Sequence, residues 1–145
     1  AIYQCTDAEH LAKAVVWMAT DSDCANQAFN ITNGDYFRWE NLWPRIAEYF
    51  RMPVGPVRHV TLSKAMADKS SWWNGNALTR KHKLRKAQYD QLVVWPYLDF
   101  VLAPEYDRMS DLTKLRKFGF HDVVDTEEMF FRFFDFYRKK KMIPS

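Results

Sequence analysis

Residues 26–50 read NQAFNITNGDYFRWENLWPRIAEYF, and this stretch holds the transitions on which the fold turns. Phe29 and Ile31 lie two apart and share one face of a short strand over 28–32. Asn33, Gly34 and Asp35 follow with turn chemistry, because glycine and short amide or acid side chains accept backbone geometries that other residues resist. A helix then runs to Phe50. Pro44 lies inside it, so the helix either begins near Trp43 with proline in its first turn or is bent at the proline. A helix from about Trp39, bent or restarted at Pro44, is the preferred reading.

Upstream, Leu11, Ala14, Val15 and Met18 recur at spacings of three and four, the period of an amphipathic helix over 7–20 with Thr6 or Asp7 as its N-cap. Residues 2–6 resemble a short strand entering that helix directly, as if the chain were cut between elements. Downstream, MPVGPVRHVTL (52–62) reads as loop and then a short strand or extended piece over 57–61. Ser63 opens a helical stretch, and 71–83, with Trp72, Trp73 and Leu78, reads as two short helices because Gly75 interrupts it. The apolar run 91–102, with Pro96 in its middle, is too short to span a bilayer and is expected to lie buried. Ser110 is read as the cap of a short helix to Phe118, closed by Gly119. Asp125 and Glu128 form a capping-box pair ahead of MFFRFFDFY (129–137), whose phenylalanines occupy several faces and call for cover on more than one side.

Composition narrows the functional classes. Hydrophobic residues make up 48% and aromatics 17% of the 145 residues, which describes a globular chain with many rings to bury. The net charge of +3 arises from two clusters, at 80–86 and 138–141, so nucleic-acid binding is weakly indicated. Two cysteines, Cys5 and Cys24, match neither a disulfide framework nor a metal-site spacing and fit free thiols in a reducing cytoplasm. No run of about 18 apolar residues indicates a membrane span.

The expected chemistry is mostly negative. The glycines at 34, 55, 75 and 119 are too scattered for a phosphate-cradling loop, so no cofactor-binding residue is assigned. No metal site is assigned, since the four histidines are far apart and only His121 with Asp125 shows a helical spacing. Tyr137 and Lys141 spell YxxxK, but in a basic segment that reads as a helix end complemented by cations, so no catalytic residue is assigned. The positive signal is aromatic: Trp72, Trp73, Trp95, Tyr97 and Phe100 can line a pocket for a flat apolar ligand or form ordinary core. The run RKHKLRK (80–86) reads as a solvated face before it reads as an RNA patch.

The segment order, carried by 26–50, then MSDLTKLRKFGF (109–120) and YRKKKMIPS (137–145), resembles the C-terminal part of the progesterone 5β-reductase and iridoid synthase-like branch of extended short-chain dehydrogenases. The resemblance implies a mainly α chain with a few short strands (α+β), a single substrate-side lobe over 1–145 without an internal boundary, and a Rossmann core that is missing. It implies an oxidoreductase of the epimerase/dehydratase-like group that binds NADPH or NADH and reduces a C=C bond conjugated to a carbonyl. The glycine-rich turn and the catalytic tyrosine and lysine would precede this region, leaving the chain alone inactive and without bound cofactor. Alignment ahead of SDLTKLRKFGF places Tyr97 and Leu98, and by extension Phe100, among the substrate-lining residues. The partners implied are a hydrophobic small-molecule substrate and the Rossmann lobe. The rival reading is a stand-alone helical interaction module whose exposed aromatic face drives homo-oligomerisation.

Overall fold

The computed structural model describes residues 1–75 and 77–144, without the side chains at positions 74–78. The expectation for Leu78 therefore lies outside the described residues. Among them the regular structure is helical: α1 (Ala8–Thr20), α2 (Trp39–Tyr49), α3 (Leu62–Ala65), α4 (Ser70–Gly75), α5 (Ala77–Lys81), α6 (Trp95–Leu102), α7 (Thr113–Lys117) and α8 (Thr126–Lys139). The helical expectation holds, but the short strands over 2–6 and 28–32 do not form, and of the two alternatives for 57–61 the strand is not taken. One antiparallel bridge joins Tyr3 and Phe37 through two reciprocal hydrogen bonds of 2.9 Å. A ladder needs successive pairs. Instead, the Asn33 amide donates to the Cys5 carbonyl, and the Asn33 carbonyl accepts from the Val124 amide, each at 2.8 Å. The β-branched run at 57–61 is solvent-exposed throughout, so strand propensity has no surface to act on there.

Contacts divide the chain into two compact units, Ala1–Val54 with Tyr106–Phe131, and Gly55–Glu105 with Arg132–Ser145. In the first, Asp7 caps α1, its carboxylate accepting from the Glu9 amide at 2.7 Å and the His10 amide at 3.4 Å. The helical period is as expected, but its phase is not. The inward stripe is His10, Ala14, Trp17 and Met18, while Leu11 and Val15 stay exposed. Packing sets the phase: the His10 and Trp17 rings lie 5.4 and 5.2 Å from that of Phe120, and large rings fill the space better than Leu11 and Val15 would. Ala14, Leu112, Leu115 and Phe120 are the buried center of this core.

α2 is one helical run through Pro44 rather than a restarted one. Proline removes one intrahelical hydrogen bond, and neighbors hold the helix around it. Leu42 is buried, Trp39 packs on Phe37 and Phe130, and Arg45 reaches Glu127 of α8 at 2.9 Å. The N-cap position of α7 is Leu112, which has no capping side chain; the carboxylate of Asp111 before it accepts from the Thr113 amide at 2.7 Å, and the expected cap Ser110 lies outside the helix with its amide donating to Gln4. Gly119 closes α7 with φ +102° as expected. Of the expected capping box at α8 one half is observed, the Glu128 amide donating to the Asp125 carboxylate at 2.9 Å, while among the described residues the Glu128 side chain does not return a bond to the Asp125 amide. Phe130 is covered by Phe37 and Trp39, and Phe131 stacks on Tyr49 at 5.2 Å.

The turn at 33–35 does more than reverse the chain. Asn33 is fully buried; its carbonyl oxygen accepts from the Asp7 amide at 2.6 Å and its NH2 donates to Thr126 Oγ1 at 3.0 Å. Asp35 accepts from the Thr126 amide at 2.8 Å and hydroxyl at 2.6 Å. One turn thereby ties together the N-termini of α1 and α8. Gly34 at φ +91° allows it, and a Cβ there would press on Val123 at 3.2 Å.

In the second unit α3 packs on α6 through a cap supplied from a distance. Asp99 accepts from the Leu62 amide at 2.6 Å and the Ser63 amide at 2.9 Å. The Ser63 hydroxyl and amide, then the Leu62 amide, hold the Asp99 carboxyl below its ordinary pKa against the opposing effect of desolvation. A lowered folded pKa gives stabilization that is present above the unfolded value, about 3.9, and is lost as pH falls through the folded one. Hydrogen exchange at Leu62 and Ser63 should accelerate selectively in that acid window. In Asp99→Ala it should be fast already at neutral pH, and equal protection in variant and parent would refute the cap.

Candidate functional site

α6 starts with Pro96 in its first turn, where the missing N–H costs nothing, so the proline at the center of the apolar run begins a helix instead of breaking one. The expectation that this run is buried is corrected: α6 contains no buried residue. Tyr97 and Phe100, three positions apart and so neighbors on one helix face, are 62% and 68% exposed. Leu98 and Asp99 are half-buried, and α3 uses Asp99 as its cap. Amphipathicity decides this, because one α3 turn can cover only one side of an eight-residue helix. The structure thus places the three predicted substrate-lining residues on one helix, two in solvent and one half-buried.

The aromatic residues of the predicted set stand in different surroundings. Trp72 is exposed, and Trp95 is half-buried with its ring 6.3 Å from that of Tyr89. Trp73 borders a cavity of about 840 Å³ that the basic run also lines. Sequence reasoning missed Asp99, for which the only available sign was an acid inside an apolar run.

The two helical spacings singled out in the sequence, Tyr137 with Lys141 and His121 with Asp125, are not realized as helix-face pairs. α8 ends at Lys139 and Lys141 turns to φ +56°, with the Met142 amide on Tyr137 and the Lys141 amide on Arg138, both 2.9 Å. Tyr137 and Lys141 therefore do not continue along one helix face. His121 precedes α8, so its spacing to Asp125 is not helical. Among the described residues no group of three or more metal-ligating side chains converges. The Cys5 thiol is pushed up to about 11, first by burial and then by Asp35. Relative to an ordinary thiol near 9.0 that means about a hundredfold less thiolate at pH 8. Iodoacetamide should label Cys5 about a hundredfold more slowly than glutathione, and labeling at the glutathione rate would refute this.

A dinucleotide does not fit this chain at its two longest helices. The N-terminus of α1, where a pyrophosphate would sit, is filled by the Asp7 carboxylate, and that of α8 by Asp125 and Asp35.

With the geometry described, comparison with known proteins gives the class. The chain belongs to the PRISE-like Rossmann-fold domain family, which matches residues 6–144. It is 29% identical over 146 residues to an (S)-8-oxocitronellyl enol synthase of Nepeta cataria, covering 97% of this chain and 36% of that protein. It is 30% identical to a short chain dehydrogenase of Penicillium aethiopicum, covering 92% of this chain and 39% of that protein. Identity to a 3-oxo-Delta(4,5)-steroid 5-beta-reductase of Arabidopsis thaliana is 26%, covering 96% of this chain and 36% of that protein. The chain thus spans a little over a third of the length of these relatives, and the resemblance read from its segment order is borne out. No helix among the described residues is long and apolar enough to cross a membrane.

Proposed function

We propose that this chain supplies the substrate-facing part of an NAD(P)-dependent reductase acting on a hydrophobic enone or related carbonyl compound. The observation that carries the reading is the solvent-facing aromatic side of α6, Tyr97 with Phe100, in a chain whose relatives are named as an enol synthase and a steroid reductase. Two rings with one phenol offer an apolar wall and a single hydrogen-bonding group, the usual composition of a site for a weakly polar ligand. Leu98 backs this wall from its half-buried position. The nicotinamide cofactor, NADPH or NADH, is held by a nucleotide-binding lobe outside this sequence. The exposed Leu11 and Val15 on α1 are consistent with a face such a lobe covers. The unpaired cysteines are consistent with a reducing cytosol.

The test is Tyr97→Ala, and separately Phe100→Ala, in the protein that joins this chain to its nucleotide-binding half. Each should shift kcat/KM between a bulky and a small enone by about tenfold, the order expected for lost apolar pocket contacts. The Kd for NADPH should not move. Unchanged selectivity across enone sizes would refute the assignment. The same exposed rings also favor a second reading, a self-association surface. Light scattering on parent and Phe100→Ala chains decides it: a dimer that the substitution dissociates supports association, whereas monomers in both refute it.

A further inference from the structure

The cavity of about 840 Å³ in the second unit lies apart from the Tyr97 and Phe100 face and is lined differently. Arg80, Lys83, Arg85 and Lys86 contribute four cations, Trp73 an aromatic wall and Gln88 a polar one, and no described lining residue is a carboxylate. No described carboxylate forms an ion pair with Lys83, Arg85 or Lys86. Lys83, Arg85 and Lys86 place three like charges around one concavity, and a bound anion relieves their mutual repulsion.

The loop bearing the charges is held in place. Two residues past the end of α5, Lys83 sits at φ +50°, the Leu84 amide donating to Thr79 at 2.9 Å and the Lys83 amide to Arg80 at 3.1 Å. The Arg85 amide donates to the Lys141 carbonyl at 2.7 Å, and Trp73 Nε1 donates to the Ala87 carbonyl at 3.2 Å. A merely solvated basic face needs neither the concavity nor these ties. A volume within the range of about 300–1,000 Å³ suits a small molecule.

We propose that this cavity binds a small molecule carrying two or more phosphate groups. The cations take the phosphates, and the Trp73 wall accommodates an attached ring. The site is independent of the enone reading and stands or falls without it. Such a ligand has two sources, a free phosphorylated metabolite or a polyphosphorylated lipid headgroup.

The experiment titrates this 145-residue chain, at about 50 mM salt so that screening is modest, with sodium tripolyphosphate, ADP and orthophosphate by calorimetry. Phosphatidylcholine vesicles with and without phosphatidylinositol bisphosphate are tested by cosedimentation. Saturable one-to-one binding of tripolyphosphate or ADP, at least about tenfold tighter than orthophosphate, is the expected result and identifies a free metabolite as the source. Binding only to the phosphoinositide vesicles supports the same site with a lipid headgroup as the source. In either case Lys83→Glu with Arg85→Glu should weaken binding at least about tenfold. Where that pair lowers the melting temperature, Lys83→Gln with Lys86→Gln carries the same criterion. No saturable binding of any of these probes, or affinity unmoved by the substitutions, overturns the proposal.

Discussion

Asn33→Ala should lower stability by on the order of 3 kcal/mol, because it deletes several buried hydrogen bonds at once. The Asp7 amide loses its 2.6 Å acceptor, and Thr126 and Met129 lose a donor at 3.0 and 3.4 Å. Both helix N-termini are affected together, since Asp7 caps α1 and Thr126 opens α8. For a chain of this size such a loss corresponds to a fall in melting temperature of about 10 °C. Asn33→Asp is the informative companion. Its carboxylate can still accept from Asp7 but cannot donate to Thr126, and it adds a negative charge beside Asp35. It should therefore be at least as destabilizing at neutral pH and recover in part on acidification. A melting temperature within about 2 °C of the parent for Asn33→Ala would show that the network is not cooperative.

Phe120→Ala should cost about 3–5 kcal/mol, the range for removing a buried phenyl ring from a packed core. Phe120 is 7% exposed and meets both inward rings of α1, His10 and Trp17. It also lies in one cluster with Ala14, Leu112 and Leu115, so its removal opens a cavity bordered by α1 and α7. Phe120→Leu should retain most of the contact and lose about 1 kcal/mol. Urea denaturation of the three proteins measures both values, and equal losses for alanine and leucine would mean that the ring itself is unimportant.

These two residues mark how far the sequence could be read. Asn33 was readable as a turn residue because its neighbors Gly34 and Asp35 carry local turn chemistry. Its bonds to Asp7 and Thr126, 26 and 93 positions away, leave no local trace. The period of α1 was readable, yet its phase was not: His10 displaced Leu11 from the core because the ring opposite is Phe120. The same holds at the candidate site. Tyr97, Leu98 and Phe100 were identified through resemblance, and their apolar run pointed to burial. Only the packing of α3 and α6 shows that the side facing α3 is half-covered while Tyr97 and Phe100 face solvent.

What the sequence by itself determined is what depends on near neighbors: helix starts at Asp7 and Asp125, the glycine closure at 119, the absence of a phosphate loop, and the order of segments that places the chain in its family. The tertiary structure decided whatever depends on a partner distant in sequence. Residues 2–6 and 28–32 did not become strands because pairing needs successive neighbors. Pro44 stayed within one helix because flanking contacts hold it, and Asp99 became the cap of a helix 36 residues upstream. Four cations in the run at 80–86 came to line one cavity because the chain folds back there and is tied at Leu84, Arg85 and Ala87.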